Sequence, residues 1–488
     1  MNLETILLNW LLLFPFIAAA LIAVFPRILR FVPPDERESV GAAPAATAII
    51  CVVLSLVACA ALGALVVRRG DAFADYFWTP DFFQFRLRLD RFGLFALLAL
   101  LGSLTFSALS AAAEGQRDHV RWAAFTAAAA AFIGVILAAD LVLLYLFWEV
   151  AALALWVALG PPHGVGRRFL VWYHAGGVCL LLGILWAAIL SRETHLYTIG
   201  SGLLVHRLSS IKWVGFVLAG GLGLRLAVAP VHLWLPDLTC GSHGKWRLAL
   251  AGAAVLVAGY AAARLLFFIL PSYVAVAVAW LPTVMGLVTV AYAGARAVLA
   301  DDMCDAASHV LIAFAGQIML GIGLGMRGRP DALAGAIGLL VPLALGAPLL
   351  AAGVAGDGAV RVWRDLRTQG AARVRLIATA AAACTFAGLP PLAGFAGQRA
   401  VAEAAWHVGS VPLLLAALIA PALILAHGAK AVIMGIGSPA RAPRANGERW
   451  RWWWTAAATL VSLVLGLGSS LWWPYLLSLA RGMIEGNP

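Results

Sequence analysis

Apolar runs of about 20 residues, each long enough to cross a bilayer core as a helix, recur from one end of this chain to the other. Their centres lie near residues 15, 55, 100, 129, 150, 179, 220, 258, 285, 316, 343, 385, 423 and 465. They predict about fourteen transmembrane helices. No stretch between them is long enough to fold as a separate domain, so residues 1–488 read as a single polytopic, all-α membrane domain. The first run, Ile6 to Phe25, lacks a basic flank and a small-residue cleavage site and reads as a retained helix rather than a signal peptide.

Two of the runs are interrupted. Predicted helix 7 meets Pro230 and then the Pro236-Asp237 turn, and predicted helix 12 runs through Gly388-Leu-Pro390-Pro391-Leu-Ala-Gly394-Phe395. Proline removes an intrahelical donor and clashes with the preceding turn. Broken backbone at membrane depth is tolerated only where protein buries it or a cavity wets it. Two such segments five helices apart are the pattern of two inverted five-helix repeats, helices 4–8 (roughly 118–270) and 9–13 (roughly 272–437). The plainer reading is that each is a loop boundary blurred by apolar flanks. Tryptophans at Trp450, Trp452, Trp453 and Trp454, and again at Trp472 and Trp473, mark the two ends of the last predicted helix as aromatic belts.

Composition agrees with the lipid reading. Hydrophobic residues make up 63% of the chain and charged residues 12%, against about 25% charged in soluble domains. The formal net charge of +11 points to topology rather than to nucleic acid. With the N-terminus outside, loops after odd helices hold roughly 20 Lys and Arg and those after even helices roughly 12, the bias of cytoplasmic loops. An even helix count then puts both termini outside, in a multi-pass protein of a bacterial-type inner membrane. The loop carrying Arg68, Arg69, Arg86, Arg88 and Arg91 runs against that bias. Six cysteines without CxxC spacing read as buried small hydrophobes rather than a metal or Fe–S site. Nothing offers a haem, flavin or nucleotide signature, so no cofactor and no redox centre is expected in this chain.

Against that background the ionisable residues inside apolar runs stand out. Glu149 closes Leu-Tyr-Leu-Phe-Trp-Glu, and Arg225 lies in Gly223-Leu-Arg225-Leu-Ala-Val-Ala-Pro230-Val-His232-Leu-Trp234-Leu-Pro236-Asp237. A charge in hydrocarbon costs several kcal/mol unless it is paired or faces a wet cavity, which makes such a pair a functional hypothesis by default.

These residues resemble the antiporter-like membrane subunits shared by respiratory complex I, membrane-bound hydrogenases and Mrp cation/proton antiporters. Leu87-Arg-Leu-Asp90-Arg-Phe resembles the family's opening before helix 3, and Asp140 to Glu149 its helix 5 motif. Pro230-Val-His-Leu-Trp-Leu-Pro-Asp237 resembles the helix 7–8 turn, and Gly388 to Gly397 the broken helix 12. The resemblance implies the family fold over nearly the whole chain. It implies that Glu149 is a proton-binding acid modulated by a cation on helix 7, here Arg225 where the family has lysine. The family's helix 8 relay positions hold Leu250 and Leu256, its helix 12 position Gln398 beside Arg399, and its basic pair before helix 10 is Cys304-Asp305.

Arginine effectively never deprotonates in a protein. Arg225 can therefore hold Glu149 ionised but cannot pass a proton on, and two leucines can do neither. Substitute carriers are sought in His243, Lys245, His309 and Glu403, with His174, His407, His427 and Lys430 as further ionisable groups. For these residues the blander roles are interfacial snorkelling and helix–helix hydrogen bonds. His232 and Asp237 are expected to cap the broken turn, and Asp140, at a helix end, to serve as a cap or as a funnel-mouth charge. The leading expectation is a proton-translocating subunit of an energy-converting complex, partnered by other membrane subunits and a peripheral soluble module. Two alternatives stay open: the membrane half of an inorganic-carbon accumulation complex beside a soluble zinc protein, and a non-conducting scaffold.

Overall fold

A computed structural model describes residues 3–28, 41–76, 85–113, 115–159, 165–240, 244–354, 363, 373–436 and 447–485. Helices α1 (Leu3–Ile28) and α2 (Ala43–Arg69) precede a hairpin of β1 (Asp71–Tyr76) and β2 (Phe85–Asp90). Next come α3 (Arg91–Ala113), α4 (His119–Leu137), α5 (Leu141–Leu159) and α6 (Val165–Ser191). Short α7 (Ile199–Leu203) leads to α8 (Leu208–Arg225), a break, and short α9 (Trp234–Thr239). Then follow α10 (Gly244–Phe268), short α11 (Ser272–Val278), α12 (Trp280–Leu299), α13 (Met303–Met326), α14 (Pro330–Gly338) and α15 (Leu340–Val354). Helix α16 (Arg373–Ala387), a second break, α17 (Phe395–His407), α18 (Val411–Ile436), α19 (Gly447–Leu467) and α20 (Ser469–Glu485) complete the described chain.

All fourteen apolar centres fall inside helices. Among the described residues eleven helical spans are long and apolar enough to cross a membrane, and α19 with α20, bent by 69°, makes up to twelve. The expected fourteen is not reached on this test: three pieces of the two broken stretches are only 6, 15 and 13 residues long, and the 18-residue α8, with Lys212, Arg225 and several glycines, is not apolar enough. The last predicted helix also differs from expectation. The chain turns at Gly468, and Trp472 and Trp473 lie in the first turn of α20, where Trp472 Nε1 donates to the Leu465 carbonyl at 2.9 Å. Trp452 and Trp453, at the other end, are exposed as a belt requires.

Helix α13 is buried end to end and α10 nearly so. They form the axis of the bundle. Small residues permit this, since without a hydrophobic drive between helices close van der Waals contact does the holding. A Cβ on Gly286 of α12 would lie 2.6 Å from the Leu320 backbone nitrogen, and one on Gly316 of α13 2.8 Å from Thr289 Cβ.

The chain is not wholly helical. Residues expected to be loop form the antiparallel hairpin, with Phe73 opposite Arg88 and Ala72 opposite Leu89. The signal was a period of two in Phe85-Arg-Leu-Arg-Leu-Asp90: Leu87 and Leu89 are buried while Arg86, Arg88 and Asp90 lie on the other face. Two of the five arginines around this segment are in ion pairs among the described residues. Arg69 binds Glu4, and Arg88 binds Asp71 at 2.7 Å.

Both predicted breaks are present, and each is satisfied internally. After α8, Ala227 takes a positive φ of 61°, the Val228 N–H donates to Gly223 and the Ala229 N–H donates to Thr289 Oγ1 at 2.9 Å. Trp234 Nε1 reaches back across the break to the Leu224 carbonyl at 2.7 Å. In the second break Gly388 has φ +68°, and Gln398 Nε2 donates to the Phe386 carbonyl at 2.9 Å. Pro230 lies within the first break and Pro236 in the first turn of α9, while Pro390 and Pro391 lie within the second break.

Candidate functional site

Helix α5 is set by its first residues. Asp140 precedes it and accepts from the Val142 and Leu143 N–H groups at 2.8 and 3.3 Å, the cap expected of it. Thr194 Oγ1 donates to its other oxygen at 2.5 Å. Burial pushes the Asp140 carboxyl above its ordinary range against these hydrogen bonds. The helix carries Glu149 to its middle.

There Glu149 is held by two partners. One oxygen pairs with Arg225 Nη2, and the other lies 2.8 Å from His174 Nδ1. Arg225 is the last residue of α8, so the break releases its side chain sideways into the bundle, where it is fully buried. Its guanidinium stacks over Tyr173 at 4.1 Å and sits 5.5 Å from the Trp148 ring. Trp148 Nε1 donates to the Tyr173 hydroxyl at 3.3 Å, tying the two rings together. Aromatic faces favour a desolvated cation electrostatically.

Gly177 makes room for the pair, since a Cβ there would collide with Arg225 Nη2 and lie 2.5 Å from Glu149 Oε1. Arg225 Nε and Nη1 remain buried with no hydrogen-bond partner among the described residues. The Glu149 side chain is 20% exposed and that of His174 36%, so the titratable end of the cluster opens on the flank of the chain while the fixed cation is sealed inside.

The other candidates divide. His309 is buried on α13, with Nδ1 2.8 Å from the Asp305 carbonyl and 3.2 Å from its carboxylate, and Asp305 in turn pairs with Arg296 at 2.8 Å. His232 lies within the break, and its Nδ1 is buried without a hydrogen-bond partner among the described residues, so the expected cap is not formed by that nitrogen. Its ring also faces Tyr292 and His309, with centroids 4.9 and 6.1 Å away. Asp237 binds Arg168 of α6 at 2.8 Å. Glu403 is not part of any buried cluster: it forms an i,i+4 pair with Arg399 at 2.8 Å on the exposed face of α17. His243 and the Lys245 side chain lie outside the described residues. Leu250 and Leu256 are wholly buried on α10. Lys430 does not snorkel outward but donates to the Val298 and Ala300 carbonyls at 2.7 and 2.9 Å, capping the end of α12.

A second charge cluster was missed in the sequence. Arg264 of α10, 2% exposed, grips Asp90 with two nitrogens at 2.8 and 2.9 Å. The Tyr197 hydroxyl donates to Asp90 at 3.1 Å and also contacts Arg264. Burial raises the Asp90 carboxyl, but Arg264 outweighs it and holds the group below the ordinary carboxylate range. A cavity of about 420 Å³ lined by Arg69, Asp71, Arg88, Asp90, Tyr197 and Tyr475 opens beside it. The signal was available: Arg264 is an arginine inside an apolar run, the same criterion that singled out Arg225.

Among the described residues no three His, Cys, Asp or Glu side chains converge as a metal site needs. The chemistry on offer is proton exchange between a carboxylate and an imidazole beside a permanent cation.

Comparison with known proteins agrees with this fold. The family model described as NADH:quinone oxidoreductase/Mrp antiporter, TM, matches residues 138–423. The chloroplastic NAD(P)H-quinone oxidoreductase chain 4 of Atropa belladonna is 27% identical over 260 residues, 51% of each chain. The match thus spans about half the length of such curated relatives. Among solved structures, a chain of the Mrp complex from Dietzia sp. DQ12-45-1b superposes with a TM-score of 0.80 at 18% identity, covering 99% of this chain and 98% of that one. A chain of respiratory complex I from Thermus thermophilus gives 0.81 at 19% identity, with 99% and 100% covered. At these identities the structures attest the fold.

Proposed function

The chain belongs to the NADH:quinone oxidoreductase/Mrp antiporter membrane family, and from that premise we propose that it is a proton-translocating subunit of a larger energy-converting complex, in a bacterial-type inner membrane, working through Glu149, Arg225 and His174. The observation that carries this reading is Glu149 bound on one oxygen by a buried guanidinium and on the other by an imidazole. Arg225 supplies a charge that does not titrate. Imidazole is the side chain that exchanges protons near neutral pH, and at 2.8 Å His174 is within proton-transfer distance of the carboxylate. Arg225 holds one carboxylate oxygen and His174 the other, so a displacement of the guanidinium changes the charge that the proton-exchanging pair faces.

The exposed side of this cluster supports a neighbouring membrane subunit on the same flank. A half-open acid and imidazole at the middle of an apolar helix face are costly against lipid and inexpensive against a wet or polar partner. Leu250 and Leu256 leave no ionisable group at the middle of α10, so onward transfer runs through water or through side chains off that helix.

The test uses the whole complex, isolated by a tag on this chain and reconstituted in proteoliposomes. Coupled proton uptake is compared for the parent, Glu149→Gln, His174→Ala and His309→Ala. Loss in Glu149→Gln with a marked drop in His174→Ala is the expected result. Equal coupled flux in all four proteins overturns the reading and makes the chain a scaffold.

A further inference from the structure

The two cysteines nearest the first break face one another. Cys240 follows α9 directly, and Cys304 lies in the first turn of α13, 64 positions later. The Cys304 S–H donates to the Thr239 carbonyl at 3.2 Å, and Thr239 Oγ1 lies 3.6 Å from Cys240 Sγ. Both sulfurs thus lie against Thr239, although they come from separate segments of the chain. The remaining cysteines, Cys51, Cys59, Cys179 and Cys384, stand on other helices, and none of the six is in a disulfide.

We propose that Cys240 and Cys304 form a dithiol site that exchanges with small-molecule disulfides and closes to a reversible intramolecular disulfide. Cys240 is half-buried beside a connecting segment, whereas Cys304 is only 8% exposed, so Cys240 is the sulfur an outside reagent reaches. Its thiolate attacks one sulfur of the reagent RSSR, forming a mixed disulfide and releasing RSH. Cys304 then attacks the Cys240 sulfur and expels the second RSH. The two cysteine thiols are oxidised, the reagent is reduced, and both thiol protons leave on the two RSH molecules. Two sulfurs set against the same residue have a short path to the about 2.05 Å of a disulfide. The product bond ties the end of the broken helix that carries Arg225 to the buried helix α13. The proposal stands whether or not the chain conducts protons.

The experiment treats the native complex in isolated membranes with oxidised glutathione, alkylates remaining thiols with iodoacetamide, and maps peptides by mass spectrometry with and without dithiothreitol. The expected product is a linked Cys240–Cys304 peptide that dithiothreitol abolishes, while the other four cysteines show no cross-link. Cys304→Ser should instead accumulate a glutathione adduct on Cys240, because the resolving thiol is gone. Recovery of both cysteines alkylated in the treated parent overturns the proposal. So does a lasting glutathione adduct on Cys240 in the parent, which shows that Cys304 does not resolve it.

Discussion

Replacing Gly177 by alanine tests the charge pair without removing a charge. A methyl carbon at this position stands 2.5 Å from Glu149 Oε1 and overlaps Arg225 Nη2. Ordinary carbon–oxygen contact begins near about 3.3 Å, so the carboxylate or the guanidinium must retreat by about 0.8 Å. Helix α6 has little room to back away, since a Cβ on Gly183 would already lie 2.6 Å from Leu218 of α8 and one on Gly176 2.8 Å from Leu224. Arg225 is sealed by Tyr173 and Trp148, whereas Glu149 is part-exposed, so Glu149 is the group that moves. A hydrogen bond to a charged group is worth about 1.5–3 kcal/mol, which converts to roughly a tenfold to hundredfold change in an equilibrium or rate. We expect coupled proton flux in Gly177→Ala to fall by about that factor, with a stability loss of about 1–3 kcal/mol from overpacking. Gly220→Ala on α8 is the control, because a Cβ there meets nothing within 4 Å. It should leave flux unchanged and, as a helix-interior replacement, stabilise by up to about 1 kcal/mol. Parent-level flux in Gly177→Ala, measured in the same proteoliposome assay, refutes the reasoning.

Asp90→Asn strands the buried Arg264 charge and should cost about 3–5 kcal/mol in thermal unfolding, whereas Asp90→Asn with Arg264→Met should cost much less than the sum of the two single changes. Because Arg264 holds the Asp90 carboxyl below its ordinary value, its contribution is complete above about pH 4 and is lost as pH falls through the lower folded value; acid unfolding curves of the parent and Asp90→Asn should therefore converge at low pH. Lys430→Met removes both donors from the end of α12 and should lower stability by up to about 1 kcal/mol, read as a lower melting midpoint in detergent.

Which of these features could be read in the sequence depended on the period and length of the signal. Apolar runs of membrane length placed the centres of fourteen helices, and the two Pro/Gly clusters placed both breaks, because each signal is local. The hairpin was missed although Phe85 to Asp90 alternates residue by residue, since six residues are outweighed by flanking apolar runs. Of the five arginines counted as a topological exception, Arg69 and Arg88 are neutralised by Glu4 and Asp71. The Glu149–Arg225 contact was legible because two charges in lipid must find each other. His174 was not, because a single histidine is often only a helix–helix hydrogen bond. Its role depends on α6 bringing it to within 2.8 Å of Glu149, a matter of packing that spacing along the chain does not encode. Glu403 misled for the opposite reason: an i,i+4 arginine already satisfied it on an exposed face.

The arginine at position 225 changes what kind of switch this cluster can be. A lysine can alternate between charged and neutral when buried, so it can be both the modulator of a neighbouring acid and a carrier. A guanidinium cannot, and the only state variable left to Arg225 is position. The structure accommodates that restriction in two ways. Two of its nitrogens, Nε and Nη1, are buried without partners among the described residues, so the guanidinium has donors with which to bind elsewhere when it leaves Glu149. In the proposed mechanism the base is His174 of α6, which lies against the second carboxylate oxygen. Charge and proton are then assigned to different residues on either side of one carboxylate. A coupling of this kind works by displacement of the guanidinium and needs no deprotonated arginine and no ionisable residue at Leu250 or Leu256.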